Sequence, residues 1–175
     1  MKKMIIIMVV LALITVACVT ALVVVLVNRS NEPTPELTPD YAPREEEPNA
    51  EKIPNDSGDK LQSPEGGGAA SIIYSTSVTV DLSDNKAELL FGNPQKSNQD
   101  IVLQIVVKGQ VIVQSGRIVP GNRVKSLGLL VDAPVLGAGI YSNENCKFVV
   151  LYYDRESGEK SILNTEIPVT VTVRD

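Results

Sequence analysis

From Met4 to Val27 the chain runs for 24 residues without a charge, a proline or a glycine, and sixteen of them are Leu, Ile or Val. At about 1.5 Å per residue a helix of that length reaches roughly 36 Å, more than the ~30 Å hydrocarbon core of a bilayer. At about −0.3 to −0.6 kcal/mol for each branched aliphatic, its summed insertion preference has an upper bound of roughly −5 to −10 kcal/mol. Residues 1–30 are therefore expected to form an N-terminal transmembrane signal-anchor, with residues 4–27 in the membrane. Lys2 and Lys3 precede the run, and only Arg29 follows it before the acids begin. The positive-inside bias then predicts a single-pass protein of the cell membrane, with a cytoplasmic N-terminus and an extracellular C-terminal part.

Cleavage is the competing reading. A signal peptide has an apolar stretch of about 7–15 residues ahead of a small-residue cut site. Thr15-Val16-Ala17-Cys18 resembles a lipobox, apart from Thr15 where leucine is usual. A cut there leaves Val19 to Val27, still apolar, where a lipoprotein would continue into a polar tether. The retained anchor is the expectation, and Cys18 then packs in its helix as a small hydrophobe.

Charge is unevenly spread: residues 1–27 carry +2, residues 28–70 carry −6 and residues 71–175 carry −1. A near-neutral domain behind an acidic stretch lacks the basic excess that phosphates require, so no nucleic-acid partner is expected. Histidine is absent, which removes the commonest metal ligand and general base. The two cysteines, Cys18 and Cys146, fall in different compartments if the anchor spans. No disulfide then staples the chain, and its extracellular part must hold by core burial.

Residues 31–70 contain seven of the eleven prolines and almost no branched aliphatics. Taken alone, such a segment buries too little apolar surface to offset the entropy of ordering it. It is expected to be a disordered Pro/Glu-rich tether, reaching between roughly 35 Å as a coil and roughly 120 Å as a polyproline rod.

Strand signals begin after Ala70. In "IIYSTSVTVDL" (72–82), Tyr74, Thr76, Val78, Val80 and Leu82 share one face at period two. "AELLFG" (87–92) follows a polar turn. In "DIVLQIVVKGQVIVQS", Ile101, Leu103, Ile105 and Val107 line one face, and Lys108-Gly109-Gln110 turns the chain into a paired strand. Gln104 alternates with that set and is expected to face water. A strand around 123–131 starts after Pro120-Gly121, and "DAPVLGAGIYSNEN" reads as loop. "CKFVVLYYD" (146–154) is apolar on both faces and reads as a central strand, with Tyr152 and Tyr153 on opposite sides. The last strand, "IPVTVTVRD", alternates from Ile167 to Val173, with Pro168 marking a strand start or edge.

About seven strands in residues 71–175, with turns roughly every ten residues, predict an all-β antiparallel β-sandwich that folds alone from about residue 71. A small closed barrel shares the same periodicity. The pieces "NPQKSNQDIVLQIVV", "IVPGNRV" and "GAGIY" leading into "FVVLYY" resemble bacterial immunoglobulin-like domains. The chain also looks like small membrane-anchored proteins of Gram-positive bacteria without an assigned role. That resemblance implies an extracellular immunoglobulin-like sandwich over about 73–173, without the antibody cysteine pair and core tryptophan.

Chemistry is sparse. The acids Asp81, Asp84, Glu88, Asp100, Asp132, Glu144 and Asp154 are scattered, and no loop has the oxygen density that calcium needs. Ser97, Ser115, Ser126 and Lys125 are the material for a serine–lysine pair, but nothing in their setting suggests activation. No catalytic, cofactor-binding or metal-ligating residue is therefore assigned, and no cofactor is expected. Arg117, Arg123 and Lys125 cluster around the Pro-Gly turn as a small positive spot, and Cys146 reads as a buried thiol. The expected function is that of a non-catalytic surface protein whose domain contacts another extracellular protein. The alternatives are a wall-polymer or small-molecule receptor, with its site in loops 93–100 and 132–145, and an accessory subunit of an envelope enzyme.

Overall fold

The computed structural model describes residues 40–63, 67–130, 136–142 and 145–175. The expected anchor over 1–30, Cys18, and residues 31–39 of the expected tether lie outside them. Eleven strands and no α-helix occur among the described residues. They are β1 (Glu51–Lys52), β2 (Ile73–Tyr74), β3 (Ser77–Asp81), β4 (Lys86–Asn93), β5 (Gln99–Val107), β6 (Gln110–Gln114), β7 (Asn122–Gly128), β8 (Gly139–Tyr141), β9 (Cys146–Asp154), β10 (Lys160–Pro168) and β11 (Thr170–Arg174).

Two sheets close on one core. The first has the order β1-β7-β4-β3-β11-β8, with β2 also on β4; the second has the order β10-β9-β5-β6. Phe91 of β4 meets Phe148 of β9 edge to face, centroids 5.9 Å apart and planes at 83°, across the gap between the sheets. Leu103, Ile105, Phe148 and Val150 all lie in that core, fully buried, as the alternation predicts. The turn after β5 is a two-residue hairpin in which Val107 pairs with Gln110. Lys108 and Gly109 both have positive φ, at 51° and 77°, the backbone twist that a tight antiparallel hairpin needs.

The strand arrangement departs from the sequence reading in three ways. The sheets are not purely antiparallel, because β11 pairs parallel with β3, Val171 opposite Val78. The expected single last strand is two strands in different sheets. Pro168 ends β10 in one sheet, and Thr170 starts β11 in the other, donating its N–H to Thr76 O at 2.8 Å. Proline has no N–H for a ladder, so the chain changes sheets where a ladder bond is already missing. The segment 72–82 is likewise split at Ser75–Thr76, leaving Tyr74 exposed while Val78 and Val80 are buried.

Gln104 does not face water. All nine residues of β5 are buried. Its even positions lie on the far face of the sheet, where Val102, Val106, Val149, Leu151 and Tyr153 form a second apolar cluster with Ala42 and Val111 packed against it. Gln104 sits among them opposite Gln114, and its Nε2 donates to Gln114 Oε1 at 2.8 Å. A buried amide is tolerated there because a partner strand supplies the acceptor.

The expectation of a disordered tether over 31–70 does not hold for its described residues, 40–63 and 67–70. Residues 40–53 form a strap along the domain. Lys160 N donates to Asp40 O and Ala42 N to Gly158 O, both at 2.8 Å; Glu47 N donates to Arg117 O at 3.0 Å and Ile53 N to Gly121 O at 2.9 Å. β1 then pairs antiparallel with β7, Glu51 opposite Arg123. Farther on, Lys60 Nζ donates to the carbonyls of Gln95 and Ser97 at 2.6 and 2.7 Å, and Ala69 N to Asn98 Oδ1 at 2.8 Å. The strap has little apolar surface of its own. It is ordered by backbone groups and charges that the sandwich presents to it.

Candidate functional site

The positive spot around the Pro-Gly turn is where the strap docks. Arg123 Nε lies 2.7 Å and Lys125 Nζ 2.6 Å from Glu51 Oε1, and Arg117 Nη2 lies 3.7 Å from Glu46 Oε1. Glu51 is held below the ordinary carboxylate range by its bonds to Lys125 and then Arg123. Glu46 and Glu51 of the strap are thus paired with the three cations of the spot.

Two features fix the strap's path. Glu47 is buried, and its carboxylate accepts from Gly116 N at 2.7 Å, Asn49 N at 3.1 Å and Asn49 Nδ2 at 2.9 Å. Gly116 allows that approach, since a Cβ there would stand 3.0 Å from Glu47 Cα and 3.1 Å from its N. Close by, the Asp100 carboxylate is buried between Arg117 and Arg155, each 3.2 Å away. Burial pushes its pKa up, and the two guanidinium groups offset that only in part.

The other acids close turns. Asp81 Oδ1 accepts from Ser83 N and Oγ and from Asp84 N, while Oδ2 meets Arg174 at 3.1 Å. Asp154 Oδ1 accepts from Glu156 N and Ser157 N at 2.9 and 2.8 Å. Glu88 lies 3.8 Å from Arg174. Asp132 and Glu144 lie outside the described residues. Among the described residues no three of Asp, Glu, Cys and His come together as a metal site.

The hydroxyls of Ser97 and Ser115 bond to backbone groups. Ser97 exchanges hydrogen bonds with the Ser71 backbone, and Ser115 Oγ accepts from Leu103 N and donates to Gly116 O. Lys125 and Ser126 are neighbours on one strand, so their side chains point to opposite faces. Cys146 is buried and free, and burial raises its thiol pKa. Tyr153 is buried on the far face of its sheet; burial, and then the Asp40 carboxylate, push its pKa up to about 12. Tyr152 packs against the core, with its hydroxyl donating to Thr165 Oγ1 at 2.9 Å.

Loop 93–100 is held from several sides, and its Gln99 lines an open groove. Asp56, Lys60 and Leu61 of the strap side, and Ala69 and Ser71 beyond, all hold it. Of loop 132–145, residues 132–135 and 143–144 lie outside the described residues.

What stays open is the edge of the second sheet. β10 is one of its two outer strands, with β6 at the other side, and among the described residues the strap touches its outer edge at Gly158–Lys160, where Tyr41 bridges Glu159. Between the pairs Lys160–Tyr153 and Asn164–Leu151 β10 has three residues where β9 has one, Tyr152. The extra residues bulge, leaving Ile162 98% and Leu163 78% exposed. Beside them an open groove of about 990 Å³ runs past Gly67, Gly68, Tyr152 and Thr165. The sequence offered no signal for this site: "SILNTE" has no period-two alternation, because the bulge breaks it.

No helix among the described residues is long and apolar enough to cross a membrane. No family model matches the chain, and neither a curated protein nor a solved structure does.

Proposed function

We propose that this chain is a non-catalytic protein of the cell surface, single-pass with its N-terminus in the cytoplasm, whose immunoglobulin-like head binds another extracellular protein. The observation that supports it is the β10 edge: an outermost strand with two adjacent aliphatic side chains in water, beside a groove. Sheet edges recruit strands from other chains unless they are blunted, and exposed aliphatics are the opposite of blunting. The uncharged run of residues 4–27 supports the anchor.

The test is co-purification from envelope membranes with full-length tagged protein, after cross-linking in intact cells. A defined protein should be recovered with the full chain and not with the tagged anchor segment alone. Recovery of nothing beyond the anchor control, or of wall polymer instead of protein, would overturn the reading.

A further inference from the structure

Resting on that reading, we infer that the partner contributes an extended segment that adds to the free edge of β10 as a further strand. Its aliphatic side chains alternate, and a lysine or arginine sits at the end that passes Asp154 and Glu159. The edge already accepts a strand within this chain: residues 40–42 run antiparallel to 158–160, with Lys160 N on Asp40 O and Ala42 N on Gly158 O. Beyond Lys160 the same edge carries no strand among the described residues until Pro168, which ends it by lacking an N–H. An added strand there continues a pairing that the fold has begun.

The side chains point to the same class of occupant. A bulge and a proline commonly protect an edge, and this one has both, yet its bulge lifts Ile162 and Leu163 into water rather than a lysine. The groove floor is preset. Gln99 donates to Ser161 Oγ at 2.6 Å, and Tyr152 donates to Thr165. Gly68 has no side chain where Gln99 packs, since a Cβ would come within 2.0 Å of the carboxamide. With these floor groups paired to one another, an occupant is left backbone and apolar contacts. Among the charged groups that line the groove, Asp154 and Glu159 outnumber Lys160, which favours a cationic side chain at that end. The Asp154 carboxylate stays ionised because turn N–H groups hold its pKa down.

The test uses the full-length protein in lipid nanodiscs and a displayed library of random heptapeptides. Selection should enrich peptides with alternating aliphatics and one basic end. The enriched peptide, made synthetically, should lose at least tenfold in affinity when its alternate amides are N-methylated, which blocks strand pairing and leaves the protein untouched. It should lose as much against the I162D/L163D double variant, whose side chains are exposed and whose thermal melt should match the wild type. Three results would each refute the inference: no enrichment, equal binding after N-methylation, or self-association of the protein abolished by the double variant, which would assign the edge to a second copy. A protein partner captured equally by wild type and I162D/L163D would leave the proposed function standing and remove this site from it.

Discussion

Replacing Gly116 with alanine asks whether the strap belongs to the head or merely rests on it. The added methyl would stand 3.0 Å from Glu47 Cα, 3.1 Å from Glu47 N and 3.3 Å from Glu46 C. All three are backbone atoms, so no side chain can swing aside, and relief requires the strap to move. Overpacking of this kind costs about 1–3 kcal/mol. Movement also stretches the Gly116 N–H bond to the buried Glu47 carboxylate, 2.7 Å long, and Glu47 N to Arg117 O, 3.0 Å. A hydrogen bond to a charged group contributes about 1.5–3 kcal/mol, so the loss should fall towards the upper end of that range. Urea unfolding followed by far-UV circular dichroism measures the loss. Trypsin cleavage at Arg44 and Lys52, both in the strap, should accelerate in parallel. Gly128→Ala is the control, because nothing lies within 4 Å of its Cβ position; it should be neutral or slightly stabilising. A Gly116→Ala protein as stable as the Gly128→Ala one, with the strap no more cleavable, would refute the packing argument.

A fragment starting at residue 71 should melt at a lower temperature than one starting at Thr38, since it lacks β1, Glu47 and the Lys60 clamp on loop 94–98. Leu103→Ala and Phe148→Ala should each cost about 2–5 kcal/mol by denaturant unfolding, while Gln104→Ala should cost about 1–3 kcal/mol rather than nothing, because it strips a buried cross-strand bond from Gln114. Asp100 is easier to protonate in the fold than its ordinary pKa of 3.8 implies. The contribution of Asp100 should therefore be lost as pH rises from 3.8 through the raised value, so the wild type should lose stability relative to Asp100→Asn when melts are compared across that window. The lowered carboxyls of Glu51, Asp81 and Asp154 act the other way in both proteins.

The core was legible because its signal is periodic. Ile101, Leu103, Ile105 and Val107 repeat at two residues, and the strand's pleat sends all four to one face. Residues 146–154 were legible as covered on both faces because neither parity holds a run of polar residues. The same logic applied to β5 would have found Val102 and Val106 on its second face. A glutamine between two valines looked like a solvent-facing row, and the cross-strand register that places Gln114 opposite it cannot be read from one strand. β10 was illegible for a related reason. Its two extra residues break the alternation of "SILNTE", although the bulge is what exposes Ile162 and Leu163.

The strap shows where composition misleads. A proline-rich acidic segment fails the burial criterion for folding when judged as an isolated chain, since it has almost no apolar area to hide. Here the ordering free energy comes from the other side of the contact. The sandwich leaves Arg117, Arg123 and Lys125 in reach of Glu46 and Glu51, and carbonyls at Arg117, Gly121 and Gly158 without strand partners of their own. Pro43 and Pro48 in the strap, and Pro54 just after it, remove few useful donors, because the segment bonds at scattered points rather than along a ladder. The cations and the acids were each visible in the sequence, more than 70 residues apart. Their pairing goes with the close pass of the strap at Gly116, where Glu47 N lies 3.0 Å from Arg117 O and a Cβ on residue 116 would stand 3.0 Å from Glu47 Cα. That proximity is a property of the folded sheet, and no local pattern encodes it.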